Sequence, residues 1–440
     1  LANKFVNGSK RIMVSSLGQL LLIASAWGWG DFTPEQIHLS WAEEDSSMYV
    51  TWAAQNSTWL PTFAQYRPAG SNDTAIAAGT WRDFYNKQDN NSTRHLYVCV
   101  AKMVNLTAGS FYEYQVGSIL GMSDWFTFEA KRDFTGQTTR FLIYGDFGTG
   151  SQIKTTMKRL EKEIKGYKYD AIVHIGDMAY DLNDDDGRNG DLFLNSIQPL
   201  AAKIPYMTSQ GNHEGPGHSC TQHYQMRFQM PGNSTNFWYS YDTGITHFVV
   251  FSTEFVIYNQ TDLQSAQMAW LEQDLAKVNR TAQPWLVTLA HRPMYCSPDW
   301  YLQLPYDHAV PWERHNKDCL QSGPAVQAAF EDLFYQYGVD LQIYGHVHAY
   351  ERMAPVYKNE SVSSDYETYN YYYNPHAPIH IITGIPGQQE SYAPVSPTPL
   401  EFSVAQSAEL GYGRLTVFNE TTLLFEQVGS VNGTVLDYVT

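Results

Sequence analysis

The hydrophobic rhythm of the chain changes once, just after residue 130. From Pro34 to about Phe128, apolar and polar positions alternate in short runs: IHLSWAE, SMYVTWAA, HLYVCVAKMV, FYEYQVG and DWFTFEA. Turn-forming residues separate them at intervals typical of an antiparallel β-sandwich. After KRDFTGQ the apolar runs RFLIYG, DAIVHIG, HFVVFST, PWLVTLA and VDLQIYG alternate with helical stretches. IKTTMKRLEKEI (153–164) and QSAQMAWLEQDLAKV (264–278) carry apolar residues at three- and four-residue spacing, which predicts helices. Strands that alternate with helices indicate a layered α/β domain. The Tyr-rich segment SSDYETYNYYYNPHAP, near 363–378, reads as irregular chain. The terminal GYGRLTVFNETTLLFEQVG reads as a strand pair that packs back on the α/β domain.

The first 26 residues follow another pattern. Lys4, Lys10 and Arg11 precede LGQLLLIASA, which ends in Ala24-Ser25-Ala26, the form of a secretory leader with a small-residue cleavage site. The apolar run is short for a membrane-spanning helix, and no later segment is long enough. The expected location is extracellular or lysosomal, without stable membrane insertion. Twelve Asn-x-Ser/Thr sequons occur, among them Asn7 inside the leader and Asn90 beside Asn91. The ten expected glycan acceptors are Asn56, Asn72, Asn91, Asn105, Asn233, Asn259, Asn279, Asn359, Asn419 and Asn432.

Composition narrows the function further. Aromatic residues make up 15% of the chain, which excludes disorder over most of its length. The net charge of −17 excludes a protein built to grip nucleic acid. Charging all 14 histidines would bring it to about −3, so the chain nears neutrality in acid. Four cysteines are too few for a disulfide scaffold, so a hydrophobic core must carry the fold. Cys296 and Cys319 are the expected bridge, closing a loop rich in Pro and Trp; Cys99, in LYVCV, suits a buried thiol or a bridge equally.

Five polar clusters share one position relative to the apolar runs. Asp146 follows FLIYG, Asp177 and Tyr180 follow AIVHIG, and Asn212 and His213 follow KIPYMTSQG. His291 follows WLVTLA, and His346 and His348 follow LQIYG. Ligands in open α/β sheets bind at the carboxyl ends of strands, so the five ends could converge on one region. Two carboxylates, a phenol, an amide oxygen and three imidazoles suit hard or borderline divalent and trivalent ions. The absence of thiolates excludes Cys-based structural zinc, and imidazoles exclude a calcium shell. Side chains two apart on an extended segment point the same way, so His346 and His348 could serve one ion or two neighbours.

These motifs carry a resemblance. GDFG (145–148), GDMAY (176–180), GNHE (211–214), AHRPMY (290–295) and GHVH (345–348) resemble the five blocks of the metallophosphoesterase superfamily. The Gly-Asp-x-x-Tyr placement of Tyr180 is similar to purple acid phosphatases, and GHVHAYER and HRPMYCS are similar to their long animal and plant forms. The resemblance covers about 138–352 and extends to the sandwich before it and the terminal strands. It implies a leader at 1–26 and a fibronectin III-like β-sandwich at 31–131. A four-layer αββα catalytic domain would then span 138–355, with a C-terminal segment at 374–438 packing on it.

The resemblance also implies residue roles. Asp146, Tyr180 and His348 would bind Fe³⁺; Asn212, His291 and His346 would bind a divalent ion (Zn, Fe or Mn); Asp177 would bridge the two. A phenolate is a hard anionic donor that favours Fe³⁺ and gives a visible charge-transfer colour. The two ions bring five positive charges; two carboxylates, the phenolate and a bridging hydroxide remove four, which leaves about +1 for phosphate. The implied activity is that of an acid phosphatase, hydrolysing small phosphate monoesters with a metal-bound hydroxide. His213 and Asn212 would contact substrate, with His213 protonating the leaving alkoxide. A second substrate histidine would lie in SPDWYLQLPYDHAVPWERHNKDC, where His315 is preferred to His308. A phosphodiesterase or nucleotide pyrophosphatase of the same superfamily, or a catalytically silent secreted glycoprotein, are the rivals. Tyr180 weighs against the first and the complete donor set against the second. A homodimer is compatible with the sequence.

Some residues read more plainly. His174, inside AIVHIG, is expected to be a core histidine. Glu351 and Arg352 are expected to pair with each other or to support the histidine loop. DLNDDDGRNGD (181–191) resembles a calcium loop but lacks the terminal Glu, and reads as a rim loop.

Overall fold

A computed structural model describes residues 32–54, 61–85, 94–134, 136–216, 220–232, 235–297, 318–390 and 395–440. The leader, His308, His315 and the sequons at Asn56, Asn91 and Asn233 lie outside them.

The alternating runs of the first part form an all-antiparallel sandwich. Its key strand is Ala75–Tyr85, long enough to belong to both sheets. Residues 75–78 pair with Thr62–Pro68, and residues 79–85 pair with His95–Met103. The inward positions bury Trp41, Trp52, Tyr114 and Phe128. Cys99 is buried and free.

The sandwich braces the α/β domain directly. Backbone N–H groups of Gln36 and Ile37, in the strand Glu35–Trp41, donate to Asn195 Oδ1 (3.1 Å) and Gln198 Oε1 (2.8 Å) of the helix Arg188–Ala201. The fully buried Arg227 completes the join, donating to Gln36 Oε1 (2.9 Å), Asp191 Oδ1 (2.9 Å) and Gly187 O (2.7 Å).

Two sheets make up the α/β domain. One runs in the order Tyr206–Ser209, Ala171–Ile175, Thr139–Tyr144, Gly411–Asn419, Thr422–Gly429, Val435–Val439, with its first three strands parallel. The expected terminal strand pair thus joins this sheet antiparallel beside Thr139–Tyr144, followed by a third strand. The other runs Tyr239–Thr243, Thr246–Val250, Trp285–Leu289, Leu341–Tyr344, Ile379–Thr383, Tyr350–Met353, Ser403–Ser407, with a parallel centre. The sheets pack face to face, Phe141 of one against Phe248 of the other (ring centroids 4.7 Å).

Helices close both outer faces. Ile153–Gly166 and Arg188–Ala201 cover the first sheet through Met157, Leu160, Phe193 and Ile197. Thr261–Leu275 and Gly323–Gln336 cover the second, setting Leu271, Leu275, Val326, Phe330 and Phe334 against Val249, Leu286, Tyr344 and Ile382. The result is a four-layer αββα domain. One predicted helix is displaced: it begins at Thr261 rather than 264, and Ala276–Val278 close it as a tight turn.

Two other expectations change. The Tyr-rich segment is a regular hairpin, Ser364–Thr368 with Tyr371–Pro375, in which Tyr366 faces Tyr373. Its β-branched and aromatic residues favour pairing more than the missing alternation suggests. Glu351 and Arg352 do not pair, because successive side chains on a strand point to opposite faces. Glu351 accepts from Ser297 N (2.9 Å), Ser403 Oγ (2.6 Å) and Gln406 Nε2 (2.9 Å). Arg352 forks onto Asp437 (2.6 and 3.1 Å). These contacts tie the strand that follows the histidine loop to Ser297, Ser403, Gln406 and Asp437. Cys296 and Cys319 form the expected disulfide.

His247 pins the hairpin 239–250 to the helix Thr261–Leu275, its ring nitrogens meeting Asp242 Oδ1 (2.6 Å) and Asp274 Oδ2 (3.0 Å). Burial alone would lower its pKa, but the two carboxylates outweigh that and raise it to about 9. A raised histidine pKa adds stability that is complete below the unfolded value of about 6.5 and is lost as pH rises through the folded one. Stability measured by urea unfolding should therefore fall between pH 6.5 and about 9. His247→Gln should flatten that slope.

Candidate metal centre

The five polar clusters sit at the carboxyl ends of five parallel strands, three in one sheet and two in the other. Because the sheets face each other, those ends meet. Asp146, Asp177, Tyr180, His213, His291 and His348 are buried there, with Asn212 and His346 partly exposed.

The donors divide into two groups. In one, the Tyr180 hydroxyl lies 2.8 Å from His348 Nε2 and 3.3 Å from Asp146 Oδ1, and those two atoms are 3.5 Å apart. In the other, His291 Nε2 lies 3.1 Å from Asn212 Oδ1, 3.2 Å from Asp177 Oδ2 and 3.2 Å from His346 Nδ1. One ligand atom each from Asp177, His291 and His346 falls within 4.8 Å of the others, close enough to hold an ion. His291 Nδ1 donates to the Ile175 carbonyl (2.9 Å), which keeps Nε2 as the inward-facing lone pair. Separations of about 3 Å between donor atoms with no apolar filler are what a metal-coordinating cluster requires.

Backbone strain accompanies the convergence. Asp146, Asp177, Tyr180 and His346 have φ of 60°, 51°, 55° and 69°, a region that costs a non-glycine residue roughly 1–3 kcal/mol. Surrounding hydrogen bonds hold them there. The His346 N–H donates to Asp146 Oδ2 (2.8 Å), and the His213 N–H donates to Asp177 Oδ1 (2.9 Å).

The site has an appetite for positive charge. Burial would raise the Asp177 carboxyl, yet the facing imidazoles of His291, His213 and His346 hold it well below the usual carboxylate range. Burial would lower His291, yet Asp177, Asp146 and Glu254 raise it to about 10. The Tyr180 phenol moves the other way, pushed far up by burial and then by Asp146 and Asp177. Only a cation against its oxygen would make it a phenolate.

His213 lies beside the donors rather than among them. Its Nδ1 meets Asp181 Oδ1 (3.1 Å), while Nε2 is 3.9 Å from Asp177 Oδ2 and 3.7 Å from Glu390 Oε1. Burial would lower its pKa, but Asp177, Asp181 and Glu390 raise it to about 9. Asp181, at the head of the 181–191 stretch, thus touches His213, whereas residues 188–191 belong to the helix Arg188–Ala201. His174 is a core residue: its Nδ1 meets the Tyr206 hydroxyl (2.8 Å), and burial lowers its pKa to about 3.

Sequence reasoning missed several supports. Glu214, quoted within GNHE but given no role, accepts from the backbone N–H groups of Asp177 (2.8 Å), Met178 (2.9 Å) and Gly211 (3.1 Å). Arg292 is gripped by Glu254 (3.1 and 3.0 Å) and places Nη1 2.7 Å from His346 Nε2. Glu390 comes from the loop after Ile379–Thr383, which carries no metal-ligand spacing.

Face-packed sheets whose parallel strand ends carry this donor set define a metallophosphoesterase, and residues 139–350 match the calcineurin-like phosphoesterase family. Residues 34–130 match the purple acid phosphatase N-terminal domain, and 377–438 match the iron/zinc purple acid phosphatase-like protein C. The chain is 36% identical over 437 residues to acid phosphatase type 7 of Homo sapiens, covering 97% of this chain and 94% of that one. It is also 36% identical to the Danio rerio protein of that name, covering 92% and 90%. The purple acid phosphatase PPD1 of yellow lupin seeds superposes with a TM-score of 0.77 at 26% identity, over 92% of this chain and 74% of that one. The chain belongs to the purple acid phosphatase family. Membership implies a dinuclear metal centre, and the two donor groups fit one.

Glu214 gives a direct test of the support. Its two oxygens serve three N–H donors, so Glu214→Gln turns one acceptor into a donor facing a donor. The variant should lose about 1–3 kcal/mol in urea unfolding and bind metal more weakly in titration.

Proposed function

We propose that this chain is an acid phosphatase that hydrolyses small phosphate monoesters at an iron–divalent centre. The observation that carries the reading is the Tyr180 hydroxyl, 2.8 Å from His348 Nε2 and 3.3 Å from Asp146 Oδ1 in a buried, acidic cluster. Asp146, Tyr180 and His348 would hold Fe³⁺, a hard ion suited to a carboxylate, an imidazole and a phenol oxygen that sheds its proton to the cation. Asn212, His291 and His346 would hold the divalent ion, with Asp177 available to both groups. When bound, the ion pair supplies Lewis acidity toward phosphoryl oxygens and lowers the pKa of water to make the nucleophile.

The rest of the chemistry belongs to the chain. Asp181 anchors His213 through Nδ1, which leaves Nε2 pointing past Asp177 toward the Glu390 rim. His213 is protonated in acid, so Nε2 can hold a phosphoryl oxygen and deliver its proton to the departing alkoxide. Asn212, next to it in sequence, orients the same oxygens.

An extracellular or lysosomal setting accompanies this reading. The seven described sequons, Asn72, Asn105, Asn259, Asn279, Asn359, Asn419 and Asn432, are all exposed, as a bulky glycan requires. The Cys296–Cys319 disulfide suits an oxidising compartment. Among the described residues, no helix is long and apolar enough to cross a membrane.

Metal analysis with a visible spectrum tests the centre. The purified protein should be purple or pink with one iron per chain, and Tyr180→Phe should abolish the absorption. A colourless, zinc-only protein with full activity would remove iron from the reading. His213→Ala should lower kcat at acidic pH by about 10²- to 10⁴-fold with metal content retained, and unchanged turnover would sink the proton-donor role.

A further inference from the structure

The loop that carries Tyr180 is held in two different ways. Its first half is held by main chain: Asp146 N, Phe147 N and Gly148 N donate to the carbonyls of Gly176 (3.0 Å), Asp177 (3.0 Å) and Met178 (2.7 Å). This ladder ends at Met178. The next three carbonyls, of Ala179, Tyr180 and Asp181, all accept from one side chain: Asn189 Nδ2, at 2.9, 3.2 and 3.0 Å.

Asn189 is itself oriented. The Thr149 hydroxyl donates to Asn189 Oδ1 (2.9 Å), which fixes the amide with its N–H groups toward the loop. Gln389 adds a parallel brace, its Oε1 accepting from Thr149 N (2.9 Å) and its Nε2 donating to Ala179 O (3.2 Å). The residues under this clamp are the strained ones, with φ of 55° at Tyr180 and 78° at Asp181. Relaxing either toward negative φ would swing the phenol off His348 and Asp146, and the Asp181 carboxylate off His213.

We infer that Asn189 is a positioning residue for the reaction: its amide holds the 179–181 backbone in the left-handed conformation that aims both Tyr180 and Asp181. The inference rests on the iron–tyrosine reading, and it predicts an effect on catalytic geometry beyond any loss of stability. Asn189 is half-buried in the first turn of the helix Arg188–Ala201, so the fold can tolerate its replacement.

The test compares wild type with Asn189→Leu, which keeps the volume and removes every donor. Visible spectrum, metal content, kcat, KM and thermal midpoint are read for each. The variant should keep both metals while its absorption band shifts or loses about half its intensity. Its kcat should fall by about 10- to 100-fold with KM within about threefold, as misplacement of a catalytic group on the order of 1 Å does. A wild-type band and kcat, even with a lowered thermal midpoint, would make Asn189 merely structural and overturn the inference. If wild type itself shows no band, the iron–tyrosine reading fails, and the positioning role is then decided by kcat at unchanged metal content. If Asn189→Leu does not fold, Thr149→Val decides. Removing the hydroxyl that orients the amide should move the same readouts in the same direction by a smaller factor, and wild-type values there overturn the inference.

Discussion

The structure depends on how closely five strand ends can approach one another. A Cβ on Gly345 would lie 2.6 Å from Asp146 Oδ2, and one on Gly176 would lie 2.6 Å from His291 Nδ1. Real Cβ atoms do not come that near, so the glycine before a donor-bearing segment is a requirement of space. Gly176 also needs a φ of 86°, which a side chain would resist. With the backbones that close, donors from two sheets reach one cluster, and their carboxylates are buried as a consequence.

Burial then sorts the acidic groups by what satisfies them. Glu214 is answered by three backbone N–H groups, and Glu254 by the Arg292 guanidinium. Both belong to the protein's own support. Asp146 and Asp177 are only partly answered by N–H donors, and their remaining oxygens face imidazoles and a phenol. A buried charge is costly unless paired, so this second class draws protons onto neighbouring histidines or a cation among them. One set of elements thus builds both a rigid frame and a hungry centre.

The sequence exposed the donors well and the supports poorly, for a physical reason. Asp146, Asp177, Asn212, His291 and His346 each end an apolar run, so strand and ligand announce each other within a few residues. The layered α/β character was legible for a related reason, since helix and strand periods differ, whereas the four-layer arrangement was implied only by the resemblance. Supports act across long separations that local pattern does not encode. Arg227 reaches Gln36 over 191 residues, and Gln389 reaches Ala179 over 210. Asn189 looked like part of a polar rim loop, because nothing nearby shows that three carbonyls have lost their ladder partners. Glu351 and Arg352 misled through adjacency, a pairing that strand geometry forbids.

The division of donors between the sheets sets an order of events in the life of the chain. Asp146, Asp177, Tyr180 and Asn212 come from the first sheet; His291, His346 and His348 come from the second, as much as 202 residues further along. No fragment holding one sheet contains a complete coordination set. Contacts of such sequence separation form only after loop closure has been offset by core packing. The binding site is therefore a product of completed folding rather than a nucleus for it. A coordination set drawn from both sheets is complete only once the two sheets have packed against each other.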